Sequence, residues 1–276
     1  VFVRELTAAA TARPVLEKGD RVAIAGDSIT EQKLYSRFME DYLLACVPEL
    51  DLRVAQLGWS GERAPGFAGR MANDLLGFQP TDVTTCYGMN DGQYRAYEPS
   101  IGDAYGRAMK DIVRRLKEAG VTVVVGSPGA VDTFAFKNPN TPPKVYNENL
   151  DQLADIASRI AAEEGMPFAN VHDILMSAME KAKAAFGESH DVCGGDGVHP
   201  NANGQIVMAY AFLKAMGLNG DLGTITLDLK GAAAATGGHK VVASGARSVE
   251  VESSRYPFCF YGDPKSPGAT RSIVPF

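Results

Sequence analysis

The chain is short of the residues that mark several common functions. Its four cysteines, Cys46, Cys86, Cys193 and Cys259, stand far apart with no Cys-x-x-Cys pair. Neither a zinc ribbon nor a thioredoxin-like motif is therefore present, and Cys86, in an apolar run, reads as an inert core thiol. Basic residues do not dominate: 27 Lys and Arg against 33 Asp and Glu give a net charge of -6. That balance argues against nucleic acid as the main partner. No apolar run reaches the ~20 residues that a membrane-spanning helix needs. Gly58-Trp59-Ser60-Gly61 falls short of Gly-x-Ser-x-Gly, so the nucleophile elbow of α/β-hydrolases is not supported. Histidine is scarce, with four in all. His172 and His239 read as structural or exposed. His190, Asp191, Cys193, Asp196 and His199 fit no common zinc spacing, so neither a metal nor a cofactor is expected.

What is present is a regular alternation of strand and helix signals. The 276 residues suit one large α/β domain, or one domain with an appendage. After a lead-in without period over Val1–Gly19, Arg21–Gly26 reads as a buried strand. Helix is expected over Glu31–Val47, strand over Leu52–Leu57, helix over Phe67–Leu76 and strand over Asp82–Tyr87. Ile101–Ala119 has the clearest apolar face, with Gly120 placed as its C-terminal cap. Val121–Ser127 is a β-branched run of the kind covered on both faces. A long loop, Pro128–Lys144, precedes a helix over Val145–Glu164, a strand over Pro167–Val171 and a helix over Ile174–Ala185. A Gly-rich loop, Cys193–Asn203, leads into a last helix, Gly204–Met216. This order predicts a parallel sheet with helices on both faces. Beyond Gly217 the pattern becomes alternating, with a flexible Gly231–Gly238, so 219–276 is expected to form a small β-rich appendage to a 1–218 domain. The chain begins at Val1 and stops in the apolar Ser272–Phe276; it is expected to continue in the native protein. A removed leader would favour an extracellular or periplasmic setting. Neither compartment nor oligomeric state is set by the sequence.

Ligands of open α/β sheets bind beyond the carboxyl ends of the strands. Four loops there carry polar groups. The first strand runs into Gly26-Asp27-Ser28, the second into a loop with Gly58 and Gly61, the third into Gly88-Met89-Asn90-Asp91-Gly92, and Asp196-Gly197-Val198-His199-Pro200 precedes the last helix. Each has a plain structural reading alone: Ser28 as a helix cap, Gly61 and Asn90 as turn residues, His199 as a loop histidine. Together they supply what acyl transfer requires. A serine hydroxyl needs a base to take its proton, which His199 can be, and Asp196 can orient the imidazole. Ser28 N–H, Asn90 and a loop glycine N–H can donate to the oxyanion, each such donor being worth ~2.7–4 kcal/mol. Asp27 and Asp91 read as turn and loop hydrogen-bonders.

These four blocks, in this order, resemble the SGNH hydrolases of the GDSL esterase/lipase group over about Arg21–Gly217. The resemblance implies a three-layer α/β/α, flavodoxin-like sandwich. It implies Ser28 as nucleophile, Asp196 and His199 as the rest of a triad, and Ser28, Gly61 and Asn90 as the oxyanion hole. Both Gly58 and Gly61 fit the second block, and Ser60-Gly61-Glu62 is the nearer match; Gln56 stands where the family often has Asn. Trp59, Arg63 and Tyr94, with Glu62, Arg95, Tyr97, Asp132, Lys137 and Asn138, give the loops a mixed aromatic and hydrogen-bonding surface suited to a sugar. The expectation is an esterase removing short acyl groups, acetyl above all, from a small-molecule or carbohydrate ester. Two alternatives stand beside it: a carbohydrate O-acyltransferase with the same triad, and a carbohydrate-binding protein without turnover. The aromatic segment Tyr256–Tyr261 is expected to fold back over the leaving-group side.

Overall fold

The computed structural model describes residues 16–228, 232–245 and 247–255. The expectations for Val1–Val15, Cys259, Tyr256–Tyr261 and Ser272–Phe276 lie outside the described residues. Five parallel strands form the central sheet in the order β2-β1-β3-β4-β5. They are β1 (Arg21–Gly26), β2 (Arg53–Gly58), β3 (Asp82–Cys86), β4 (Thr122–Gly126) and β5 (Phe168–Ala169). Successive strand residues face opposite sides of the sheet. Val22, Ile24 and Val124 accordingly join one core, and Ala23, Ala25, Val83, Val123 and Val125 join the other. The first core is closed by α2 (Tyr35–Ala45), α6 (Val171–Phe186) and α7 (Ala202–Ala215). The second is closed by α3 (Ala64–Asp74), α4 (Pro99–Glu118) and α5 (Pro143–Glu164). This is the expected α/β/α sandwich, and the strand order is that of flavodoxin-like folds.

The helix expected over Glu31–Val47 is instead two pieces, α1 (Ser28–Glu31) and α2, separated by Lys33 in the left-handed region (φ 56°). Partners outside the helix cause the break. Tyr35 N–H donates to Gln205 Oε1 on α7 at 3.1 Å, where a continuous helix would use the carbonyl of residue 31. Tyr35 Oη is also 2.8 Å from Thr30 Oγ1. Other boundaries differ by a few residues. Helix α3 starts at Ala64, with Pro65 in its first turn, and α6 starts at Val171, where Asn170 caps Asp173 N–H. Strand β5 is shorter than Pro167–Val171 because α6 begins at once.

After α7 come two antiparallel pairs, β6 (Ile225–Leu227) with β7 (Ala233–Ala235), and β8 (His239–Ser244) with β9 (Val249–Ser253). Part of the stretch expected to be flexible is thus strand: Ala233–Ala235 pairs with Ile225–Leu227. Arg255 ties this region back to the sandwich, bonding Glu49 Oε1 and the Asp221 carbonyl. Among the described residues, no helix is long and apolar enough to cross a membrane.

Candidate active site

Strand order reverses at β1: β2 lies on one side of it and β3 on the other. A crevice opens beyond the strand ends at such a point. Ser28 follows β1 and Asn90 follows β3, so both stand there because of topology. The third contribution comes from the loop before α7. Asn201 caps that helix, its Oδ1 accepting from Gly204 N–H at 3.1 Å, while its Nδ2 donates to the Asp191 carbonyl and carboxylate, each at 2.8 Å. The loop is thereby held against the helix start, and His199 reaches across to β1.

Ser28 Oγ is 2.9 Å from His199 Nε2, and His199 Nδ1 is 2.7 Å from Asp196 Oδ2. The other Asp196 oxygen accepts from Val198 N–H at 2.8 Å and His199 N–H at 3.0 Å. Desolvation raises the Asp196 carboxyl, but the two N–H bonds and the imidazole outweigh it and hold the group below its ordinary range. An ionised Asp196 keeps the proton on Nδ1. Nε2 is then free to accept from the serine hydroxyl.

The second- and third-block residues occupy the loops that follow β2 and β3. Asn90 Nδ2 donates to the Glu62 carbonyl at 3.1 Å and stands 3.4 Å from Asp27 Oδ2; Asn90 Oδ1 accepts from Tyr94 Oη at 3.3 Å. The two candidate glycines have different physical duties. Gly58 is a packing glycine: a Cβ there would lie 2.2 Å from Glu31 N and 2.5 Å from Thr30 C, inside α1. Gly61 is exposed at φ +71°, in open space, so it serves the turn. Its neighbour Glu62 anchors that turn, receiving both Arg70 Nε and Nη2 and the Tyr87 hydroxyl.

Asp27 and Asp91 have the hydrogen-bonding duties expected of them. Asp27 Oδ1 accepts from Ile29 N–H at 3.0 Å and caps α1; Asp91 accepts from Ala64 N–H and Gly88 N–H, pinning α3 to the β3 loop. Both are buried. Desolvation pushes Asp27 up to about 7, with Asp91 and Glu62 adding to it against the Ile29 bond and His199. Desolvation also pushes Asp91 up to about 6, against its backbone bonds.

The expected loop surface is only partly realised. Trp59 is 58% exposed, with the Arg70 guanidinium 5.2 Å from its ring centroid. Arg63 is exposed at the start of α3, and Tyr97 is also exposed. Tyr94 is turned inward to Asn90. Asp132 is not a surface residue at all: it is fully buried and paired with Lys183 Nζ at 3.0 Å, and it accepts from Phe134 and Ala135 N–H. Lys137 folds onto the Phe134 carbonyl and Asn138 onto the Tyr94 carbonyl. Gln56 lies within β2, bonded to Ser36 and Glu40. His190 packs on Phe186, and Asp191 serves Asn201. Among the described residues, the one group of His and carboxylates close enough to hold an ion is Asp151, His172 and Asp173, not the stretch from His190 to His199.

Comparison with known proteins gives the family and the fold. Residues 24–206 match the GDSL-like lipase/acylhydrolase family. An acetylxylan esterase of Geobacillus stearothermophilus is 23% identical over 221 residues, which span 72% of this chain and 94% of that protein. A solved structure of that organism's acetylxylan esterase, a catalytic mutant, superposes with a TM-score of 0.61 at 20% identity, covering 74% of this chain and 97% of the other. A gut microbial diltiazem-metabolizing enzyme superposes with a TM-score of 0.73 at 27% identity over 84% of this chain. The chain spans 55% of the length of that enzyme.

Proposed function

The chain belongs to the GDSL-like lipase/acylhydrolase family, and we propose that it is a carboxylic ester hydrolase working through Ser28, His199 and Asp196 on short acyl esters of a carbohydrate. The observation that carries the catalytic part is the line from Ser28 Oγ to His199 (2.9 Å) to Asp196 (2.7 Å). Ser28 Oγ attacks the acyl carbon and its proton passes to His199 Nε2. The carbonyl oxygen becomes an oxyanion facing Ser28 N–H, Gly61 N–H and Asn90 Nδ2. Collapse breaks the ester bond, and the leaving alkoxide takes the proton from His199. Water then attacks the acyl-enzyme with His199 again as base, releasing the carboxylic acid and restoring Ser28. The His199 side chain is 31% exposed, so water can reach it for this second half.

The carbohydrate part rests on the mouth. Exposed Trp59, held under the Arg70 guanidinium on the loop that carries Gly61, offers a ring face on which a sugar can stack. A distant relative named for acetylxylan agrees with it. Ser28→Ala should lower kcat by at least about 10³-fold with the fold intact. In a series of p-nitrophenyl esters beside acetylated oligosaccharides, acetate and butyrate should turn over well and chains beyond about ten carbons poorly. Near-normal turnover by Ser28→Ala would remove the nucleophile. A preference for long chains, with no acetate released from any sugar, would remove the carbohydrate reading alone.

A further inference from the structure

We propose that Tyr94 is a positioning residue of the oxyanion site, its hydroxyl fixing the Asn90 amide so that Nδ2 faces the reacting oxygen. The proposal rests on the reading of Asn90 as an oxyanion donor. A primary amide has two ends of nearly the same shape, one a donor and the other an acceptor. Only the donor end stabilises developing negative charge; the acceptor end would oppose it. The amide therefore needs a bond at each end.

The surroundings supply them. One Nδ2 hydrogen goes to the Glu62 carbonyl at 3.1 Å, and the second is held only by the long 3.4 Å approach to Asp27 Oδ2, so its hydrogen bond is the one free to turn to an oxyanion. Oδ1 accepts from the Tyr94 hydroxyl at 3.3 Å. Bonds of this kind are often long in an unliganded site and tighten in the transition state. The phenol stays a donor at working pH, since desolvation, with Asp27 and Asp196, pushes it up to about 12.

The chain is built to put that hydroxyl there. Gln93 and Tyr94 are both left-handed, at φ 56° and 54°, a conformation that is strained for a side-chain-bearing residue and persists only when surroundings enforce it. Helix α5 does the enforcing: Asn149 Nδ2 donates to the Gly92 and Arg95 carbonyls at 2.9 and 2.8 Å, and Tyr146 Oη donates to the Met89 carbonyl. The Tyr94 ring stacks on Tyr146 at 5.0 Å between centroids and on Phe136 at 6.4 Å. With the ring clamped, the hydroxyl is held at Asn90 Oδ1. A tyrosine meant for a sugar would present its edge to the mouth; this one spends its hydroxyl on Asn90.

The test is Tyr94→Phe, assayed with p-nitrophenyl acetate beside Asn90→Ala, the double variant and Ser28→Ala. Losing one such bond should lower kcat about tenfold. KM should stay within about twofold, since the contact acts on charge that appears only in the transition state. The melting temperature checks that the fold is kept. In the Asn90→Ala background the substitution should have no further effect, because its target is gone. A multiplicative loss in that background, a raised KM with kcat kept, or unchanged kinetics would each overturn the proposal while leaving the esterase reading intact. Full turnover by Ser28→Ala would overturn both.

Discussion

Asp196 spreads its two oxygens over three donors, and this makes its substitutions unequal. Oδ1 accepts from the Val198 and His199 N–H groups, and Oδ2 faces His199 Nδ1. Asparagine has a single acceptor. The two backbone donors will claim it, which turns the Asn NH₂ toward Nδ1 and forces the ring proton onto Nε2. A neutral histidine protonated there cannot take the proton of Ser28. Asp196→Asn should therefore lower kcat by about 10³–10⁴-fold with KM little changed. Asp196→Ala should be the less damaged variant, because the Asp196 side chain is 56% exposed and water can replace it at Nδ1 without dictating the tautomer. Equal losses, or a slower alanine variant, would show that orientation rather than tautomer is what Asp196 supplies.

At the scale of elements, the piece that matters most is α1, the single turn carrying Ser28. It lies against the end of β2 because Gly58 has no side chain there: a Cβ would sit 2.2 Å from Glu31 N. Backbone on both sides leaves no soft partner to yield. Gly58→Ala should push α1 away from β2, lowering the melting temperature and cutting kcat together, whereas a glycine needed only as an exposed turn would show the first effect weakly and the second not at all. Thermal unfolding with steady-state kinetics separates these. The sequence made the strand ends legible, because Gly26-Asp27-Ser28 and Gly88-Met89-Asn90-Asp91 sit where apolar strand runs stop, and Asp196–His199 sits in the Gly-rich loop before the last helix. It did not show that α1 and α2 are separate. Glu31-Gln32-Lys33 holds no Gly or Pro to mark the break, and the group that takes the Tyr35 N–H, Gln205, comes from 170 positions away. Asp132 was likewise unreadable. In a Pro- and Asn-rich stretch an aspartate reads as surface, and only the fold brings Lys183 to it from α6. Tyr94 could have been read only from its left-handed backbone, for which Gln93-Tyr94 gives no glycine as a cue.

The whole molecule carries opposed sets of carboxyls, and their balance sets its response to pH. Asp132 and Asp196 are held below the ordinary value of 3.8: desolvation opposes this, but N–H donors with Lys183 or His199 prevail. Their stabilising contribution is present above that value and is lost as pH falls below it, through their lowered folded-state range. Asp27 and Asp91 go the other way, to about 7 and about 6, chiefly by desolvation. Asp82 is raised too, by desolvation first and then by Asp20 and Glu17; its Oδ2 accepts from Thr81 Oγ1 and its Oδ1 has no partner among the described residues. An unfolded chain releases these protons near 3.8, while the folded chain keeps them up to about 6 or 7. Between those limits the folded state binds more protons, so raising the pH lowers stability. The melting temperature should accordingly be higher near pH 5 than near pH 8, with each kcal/mol moving it about 2–4 °C. Asp82 stands at the start of β3, at the end of the sheet away from Ser28, so it can be changed without touching the site. Asp82→Asn removes the charge and should raise the melting temperature at pH 8, narrow the difference between pH 5 and pH 8, and leave kcat/KM for p-nitrophenyl acetate unchanged. Calorimetry at the two pH values decides it: a wild-type protein less stable at pH 5, or an Asn variant with the full wild-type difference, would mean that these carboxyls ionise freely in the fold.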